Sequence, residues 1–140
     1  MRIMGLDVGS KTIGVSVSDE LGITAQGVTV IRRTQPDSDL AQVEDWVNRL
    51  KVEHIVIGLP INMDGSTGEM GKSARQFAQS IKERTALPVT LWDERLSTRF
   101  SERVLLEANV SRKKRKQVVD KMAAAIILQS YLDRQRHSRE

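Results

Sequence analysis

The N-terminal part of the chain alternates apolar and polar positions with a period of two, which predicts β-strands. An apolar run over residues 3–6 ends at Asp7, and after a glycine-containing turn apolar residues alternate with small polar ones over residues 13–18. Two such runs joined by a short turn indicate a hairpin. A further apolar segment from Ile23 to Ile31 extends this hairpin into an antiparallel meander.

The rest of the chain alternates between helical and extended patterns. Apolar residues recur at three- and four-residue spacing in the helices, and the strands are continuous apolar runs, as in strands buried on both faces of a sheet. The predicted elements are a helix from Leu40 to Leu50 capped by Asp37 or Ser38, a strand at 55–57, a helix over 69–84, a strand over 89–92, a helix over 96–109 and, after a basic loop, a helix over 116–134.

This order of elements predicts an α/β fold. Helices that alternate with strands require parallel pairing and right-handed crossovers. We therefore expect a five-stranded mixed sheet in which strands 1–3 form the antiparallel meander, strands 1, 4 and 5 are parallel, and helices cover both faces. A chain of 140 residues is the length of one domain, so residues 1–140 are predicted to fold as a single unit.

Acidic residues stand at the ends of two of the predicted parallel strands. Asp7 ends the first strand, and Asp93, followed by Glu94, ends the fifth. In such sheets the functional crevice lies outside the carboxyl ends of the parallel strands. Ionised carboxylates are rarely buried without a partner, so a cation or solvent is expected beside them. The alternative for Asp7 is a solvated residue that caps the turn.

A third acid begins the apolar stripe of the last helix. Asp120 lies four, seven and eleven residues before Ala124, Ile127 and Tyr131, which places all four on one face. An acid that only complements the helix dipole is the alternative, but that role does not require an inward face. Three carboxylates around one crevice favour hard divalent cations with oxygen ligands. A pair of Mg²⁺ or Mn²⁺ ions is the usual device for hydrolysing a phosphodiester.

Positive charge is concentrated towards the C-terminus. The formal net charge of +4 divides into −2 over residues 1–110 and +6 over residues 111–140. The densest run comprises Arg112, Lys113, Lys114, Arg115 and Lys116. This run is either a solvated loop or a contact for a polyanion, and nucleic acid is the commonest polyanion for such a protein. With five aromatic residues, base stacking is expected to contribute little.

The composition excludes several classes of protein. The chain has no cysteine, so it carries no disulfide framework, thiolate metal site or cysteine nucleophile. The N-terminal apolar run is interrupted by Asp7 and lacks a cleavage site, so it is not a signal peptide. No window approaches the roughly 18 uninterrupted apolar residues of a membrane span. We therefore expect a cytoplasmic protein with no membrane partner.

Four segments of the chain resemble, in order and spacing, the motifs of the YqgF/RuvX family. They are GLDVGSKTIGV at 5–15, GLP at 58–60 with NMDG at 62–65, DERLST at 93–98 and DKMAA at 120–124. The resemblance implies the ribonuclease H-like fold of Holliday-junction resolvases and hydrolysis of a nucleic-acid backbone. It implies either a nuclease that matures the 5′ end of pre-16S ribosomal RNA or a resolvase of four-way DNA junctions.

The same resemblance implies a set of site residues. Asp7 would bridge two Mg²⁺ or Mn²⁺ ions, while Asp120 and either Asp93 or Glu94 would each hold one. Neighbouring side chains on a strand point to opposite faces, so only one of that pair is expected to be a direct ligand. Apart from the resemblance, the candidates for phosphate contacts are Lys11, Arg95, Arg112, Lys113, Lys114, Arg115 and Lys116.

The chain departs from the wider ribonuclease H-like pattern at the fourth strand. Such nucleases usually carry an acid at or just beyond the end of that strand, where this chain has Gly58-Leu59-Pro60, and the nearest candidate is Asp64. Two other functions stay open. One is a nucleic-acid-binding factor without activity, and the other is a sugar-kinase or actin-like phosphotransferase, which would need two such domains. A homodimer is also compatible with the sequence.

Overall fold

The computed structural model describes residues 1–61, 64–93 and 112–139, and for 112–121 and 137–139 it describes the backbone only. The elements in this part of the chain, in order, are β1 (Ile3–Val8), β2 (Thr12–Ser18), β3 (Ala25–Arg32), α1 (Pro36–Leu50), β4 (His54–Leu59), α2 (Glu69–Thr85), β5 (Val89–Asp93) and α3 (Arg112–Arg139). The helix predicted over 96–109 lies outside the described residues.

The five strands form one sheet with the order β3-β2-β1-β4-β5. Strands β1, β2 and β3 pair antiparallel, and β1, β4 and β5 pair parallel. The predicted mixed sheet and its meander are therefore confirmed. The parallel pairing brings the carboxyl ends of β1, β4 and β5 to the same edge of the sheet.

Alternation along the strands divides the core into two layers. Met4, Leu6 and Val8 pack in the layer that α1 and α2 cover, together with the β4 residues Ile55 and Ile57. The other layer lies under α3, whose buried side chains meet the opposite faces of β1 and β4. Its buried members are Ile3, Val56, Ile127, Leu128, Tyr131 and Leu132.

Helix α3 lies unusually close to β1 because Gly5 has no side chain. A Cβ at this position would stand 2.7 Å from the Leu128 Cβ and 2.9 Å from the Ala124 carbonyl oxygen. The buried Ser16 hydroxyl fixes the approach, since it lies 2.8 Å from the Ala124 carbonyl oxygen and 3.1 Å from that of Gly5. One buried hydroxyl thus ties α3 to two strands at the centre of the sheet.

The start of α1 differs from the prediction. Asp37 and Ser38 do not cap it: the helix already begins at Pro36, and its cap residue Gln35 forms no side-chain hydrogen bond. Proline suits the first helical position because its fixed φ is helical and its missing N–H needs no partner there. The amide of Thr34 is instead satisfied from inside the helix, by the Asp39 carboxylate at 3.0 Å.

The start of α3 also differs from the prediction. The basic run 112–116, expected in a loop, forms the first turns of the helix, which begins at Arg112 rather than near Lys116. The run contains neither glycine nor proline, and arginine and lysine both have high helix propensity. Among the described helices, none combines the length and the apolar character that crossing a membrane requires.

Candidate active site

Asp7 is the penultimate residue of β1 and is half-buried at the edge where the parallel strands end. It pairs with Gly14 on β2, and Gly58 is the next residue of β4 after the last β1–β4 pair, Leu6–Ile57. Neither neighbour contributes a side chain. The Asp7 carboxylate therefore has glycine backbone on both sides, which lets an ion or a phosphate approach closely.

The face of the sheet that carries Asp7 is the one that α3 covers. Gly5, two residues earlier on β1, lies against both Ala124 and Leu128, whereas the buried cluster that contains Ile3 begins at Ile127 and extends to Leu132. Helix α3 therefore runs antiparallel to β1.

The level of Asp120 follows from this direction. Asp120 precedes Ala124 by about one turn, or roughly 5–6 Å of helix, and Asp7 follows Gly5 by about 7 Å of strand. Asp120 thus lies on the side of Ala124 that is nearer the Asp7 end of β1. The predicted apolar stripe of α3 is confirmed, because Ala124, Ile127 and Tyr131 are all buried. The Asp120 side chain lies outside the described part.

Asp93 is the last residue of β5 and pairs with Leu59 of β4. Two strand spacings, about 10 Å, separate β5 from β1. Alternation groups Asp93 with Val89 and Leu91, which pack in the layer covered by α1 and α2. Trp92 lies on the α3 side, where its indole N–H donates to the Ser130 hydroxyl at 3.1 Å. Asp93 thus shares an edge with Asp7 but occupies a position on the other face.

Two exposed cations stand beside this edge. Lys11 lies in the β1–β2 turn, and Arg32 ends β3 opposite Thr12. Neither side chain forms a hydrogen bond or an ion pair with any residue that the structure describes. Arg32 alternates with the buried Ile31, so its position is on the face that carries Asp7. The sequence prediction omitted Arg32, although its place at the end of the strand paired with the turn could have indicated it.

Comparison with known proteins identifies the family. A family model described as "RuvX: Holliday junction resolvase" matches residues 1–134. The chain belongs to the RuvX family. A relative from Desulforamulus reducens is 53% identical over 95% of this chain and 97% of its own length, and one from Myxococcus xanthus is 52% identical over 97% and 90%. Both relatives are named "Putative pre-16S rRNA nuclease".

Solved structures agree with the fold of this RuvX-family protein. Thermus thermophilus RuvC in complex with a Holliday junction substrate aligns with a TM-score of 0.62 at 15% identity, over 96% of this chain and 95% of that one. The fowlpox virus Holliday junction resolvase aligns with a TM-score of 0.55 at 11% identity, over 95% and 99%. The predicted family, the ribonuclease H-like fold and the nuclease class are therefore confirmed.

The other predicted site residues of the RuvX-family chain are less closely defined. Glu94 and Arg95 lie outside the described residues, and only the backbone of the run 112–116 is described, at the start of α3. Among the described side chains, no group of three His, Cys, Asp or Glu residues could hold a metal ion. Two of the predicted metal ligands, Asp120 and Glu94, are not among those side chains.

Asp64, the nearest acid after the fourth strand, serves its own turn. Its carboxylate accepts hydrogen bonds from the Ser66 hydroxyl at 2.6 Å and the Ser66 amide at 2.9 Å. These bonds, the hydroxyl first, lower the pKa of Asp64 below its usual value. A carboxylate held in this way shapes the loop before α2.

A groove of about 600 Å³ lined by Arg2, Arg49 and Glu53 lies at the opposite edge of the sheet and is not part of the site.

Proposed function

We propose that this protein is a metal-dependent nuclease that cleaves structured RNA, and that its natural substrate is the 5′ region of pre-16S ribosomal RNA. The observation that supports this proposal is that Asp7 is half-buried near the end of β1, opposite Gly14, at the edge where the parallel strands end. The choice of RNA is supported by the name that relatives more than 50% identical carry. A substrate of this kind would be met in the cytoplasm.

The donor set fits a hard divalent cation. Carboxylate oxygens are the ligands that Mg²⁺ and Mn²⁺ prefer, and the glycines beside Asp7 leave the backbone accessible. We propose Asp7, Asp120 and one acid of the pair Asp93 and Glu94 as the ligands. When bound, the ions would activate water and stabilise the charge that develops on the phosphate and on the leaving oxygen.

The protein's own groups orient the substrate for an in-line displacement. The end of β1 holds Asp7 rigidly, because the strand is paired on both sides. Lys11 and Arg32 bind phosphates that flank the scissile one, which positions the backbone without reading its sequence. Water oxygen forms a new bond to phosphorus, the bond from phosphorus to the leaving sugar oxygen breaks, and a proton from that water ends on the leaving oxygen.

Strand alternation predicts which acid of the pair 93–94 matters more. Because Asp93 shares its face with Leu91 rather than with Asp7, we expect Glu94 to be the ligand. Glu94→Gln should then lower kcat/KM at least about tenfold more than Asp93→Asn. Cleavage rates of both variants at several Mg²⁺ concentrations measure this difference. A larger loss for Asp93→Asn would assign the ligand to Asp93.

Lys11 and Arg32 should determine part of the salt dependence of binding. Each phosphate contact contributes a slope of about −0.9 to log K against log salt on duplex DNA and about −0.7 on a single strand, so Lys11→Gln with Arg32→Gln should flatten the slope by about one to two units. The matched control is Arg49→Gln with Lys82→Gln, which removes the same charge in the last turns of α1 and α2. Equal slopes for the two double variants would show that net charge alone determines binding.

The second candidate substrate is a four-way DNA junction, which the description of the family model favours. The two candidates are separated by incubating the wild type with a pre-16S RNA fragment and with a junction of matched length, in Mg²⁺ and then in Mn²⁺. We expect cleavage of the RNA at a defined position and at least about tenfold slower cleavage of the junction. The reverse preference would make the protein a resolvase, and binding of either without cleavage in both metals would make it a non-catalytic factor.

A further inference from the structure

Arg33 connects the turn that follows Asp7 to helix α1. Its Nη1 donates to the Gly9 carbonyl oxygen at 2.7 Å, and its Nε donates to the Asp39 carboxylate at 3.1 Å. The guanidinium also lies 5.9 Å from the centre of the Phe77 ring on α2. One side chain therefore joins the β1–β2 turn to both helices of this layer.

The backbone of Arg33 forms a second hydrogen bond to the same turn. The Arg33 amide donates to the Lys11 carbonyl oxygen at 2.8 Å, and the turn itself is closed by the Gly9 amide and the Thr12 carbonyl oxygen, also at 2.8 Å. Gly9 is two residues from Asp7, and Lys11 is the exposed cation of the turn. Both carbonyls that Arg33 fixes therefore lie within the segment that carries a proposed metal ligand and a proposed phosphate contact.

The burial of Asp39 makes this connection costly. Asp39 is 2% exposed and is the only charged residue among the described buried ones. The Asp39 carboxylate is removed from water while the Arg33 side chain stays 20% exposed, and the cost of burying a charge offsets much of the attraction in such a pair. Asp39 also accepts the Thr34 amide at 3.0 Å, so its carboxylate has a local role at the start of α1. That bond does not require Arg33, so stability alone gives a poor reason for the guanidinium that reaches from Asp39 to Gly9.

The position of the pair on the sheet gives a better reason. Arg33 follows the buried Ile31 on the side of α1 and α2, whereas Asp7 lies on the side of α3. The pair supports the turn from behind, opposite the side from which substrate reaches Asp7. A charge-assisted hydrogen bond to a carbonyl is stronger than a neutral one, so it limits movement of the turn.

We infer that Arg33 and Asp39 are positioning residues of the active site, which hold the β1–β2 turn so that Asp7 and Lys11 keep their geometry. The inference rests on the proposed function, because it assigns the purpose of the pair to that site. Neither residue touches the reacting atoms. Supporting partners of metal ligands typically change metal affinity or activity by about 10- to 100-fold when replaced, and we expect a loss in this range.

The test compares three variants of the full chain with one control. Arg33→Met with Asp39→Leu replaces the pair by apolar residues, and Arg33→Lys keeps the charge but cannot reach Asp39 and Gly9 with a planar fork. Asp39→Asn keeps the hydrogen bond to Thr34 and serves if the double variant fails to fold. The control, Arg84→Met with Glu44→Leu, removes the ion pair of 3.3 Å that also joins α1 to α2, away from the turn.

Three readouts distinguish positioning from folding: the thermal midpoint, the Mg²⁺ concentration for half-maximal cleavage of the pre-16S RNA fragment, and amide hydrogen exchange at Gly9 and Arg33. We expect all three variants to unfold in one cooperative transition and to exchange the Gly9 and Arg33 amide hydrogens faster than wild type. They should also require a higher Mg²⁺ concentration for half-maximal cleavage, and their kcat/KM should fall by about 10- to 100-fold. The control should match wild type in exchange and in cleavage.

Two results would overturn the inference. Unchanged hydrogen exchange at the Gly9 and Arg33 amides would show that the pair does not hold the turn. Exchange can be measured whether or not the wild type cleaves either substrate. Absence of cleavage by the wild type would refute the proposed function instead. Faster exchange with wild-type kcat/KM and Mg²⁺ dependence would show that the turn does not need support for catalysis.

Discussion

Asp7→Asn should reduce cleavage by more than about 100-fold while the fold and nucleic-acid binding persist. The substitution keeps the shape of the side chain but removes one anionic oxygen from the group that is proposed to hold the metal. Replacing partners that only support a metal ligand already costs about 10- to 100-fold, so replacing a direct ligand should cost more. The measurements are single-turnover cleavage of the RNA fragment and its dissociation constant in Ca²⁺.

The matched control is Asp45→Asn, which neutralises an exposed carboxylate on α1 that pairs with Arg49. This variant should cleave like wild type, since surface ion pairs contribute about 0–1 kcal/mol to stability and this one is remote from the edge that carries Asp7. Full activity of Asp7→Asn would refute the proposed site.

Gly5→Ala should be the most damaging small substitution in the described core. The new methyl group would stand 2.5 Å from the Ser16 hydroxyl oxygen, 2.7 Å from the Leu128 Cβ and 2.9 Å from the Ala124 carbonyl oxygen. The last two atoms are parts of α3 that cannot rotate away, so the helix must shift. Overpacking of this kind costs about 1–3 kcal/mol, and denaturant unfolding measures it.

The same shift should reduce cleavage, because α3 carries Asp120. Gly22→Ala is the comparison: its φ of +69° disfavours alanine, but no atom lies within 4 Å of the added methyl group. That variant should lose about 1–2 kcal/mol through backbone strain and keep full activity per folded molecule. If Gly5→Ala unfolded at the wild-type midpoint, the close approach of α3 to β1 would be wrong.

The sheet and the edge that carries the acids followed from local patterns. The run Ile55–Ile57 has no polar position because both faces of β4 are covered, and this alone indicated a central parallel strand. Once β1, β4 and β5 were parallel, their ends had to meet, so Asp7 and Asp93 had to share an edge. The strand pattern was therefore enough to predict the edge of the sheet at which the candidate site lies.

Contacts between distant residues were beyond such patterns. The predicted helix began at Leu40, one residue after Asp39, but Asp39 lies inside α1 and is buried because Arg33 and the Thr34 amide satisfy its carboxylate. Because the predicted third strand ended at Ile31, it assigned no face to Arg32, which is exposed at the edge of the site, or to Arg33, which is paired. Successive side chains at the end of β3 point to opposite faces of the sheet, and only the face of Arg33 is covered by α1, which carries Asp39.

The hydrogen bond between Ser16 and Ala124 joins residues 108 positions apart in the chain. Contacts of such separation require a long loop to close before they repay its entropy, and they slow folding. The meander and the β1–β4 pairing have shorter loops, so docking of α3 should be a late event along the folding pathway. Because α3 carries Asp120, recovery of cleavage during refolding should follow the docking of this helix rather than the formation of the sheet.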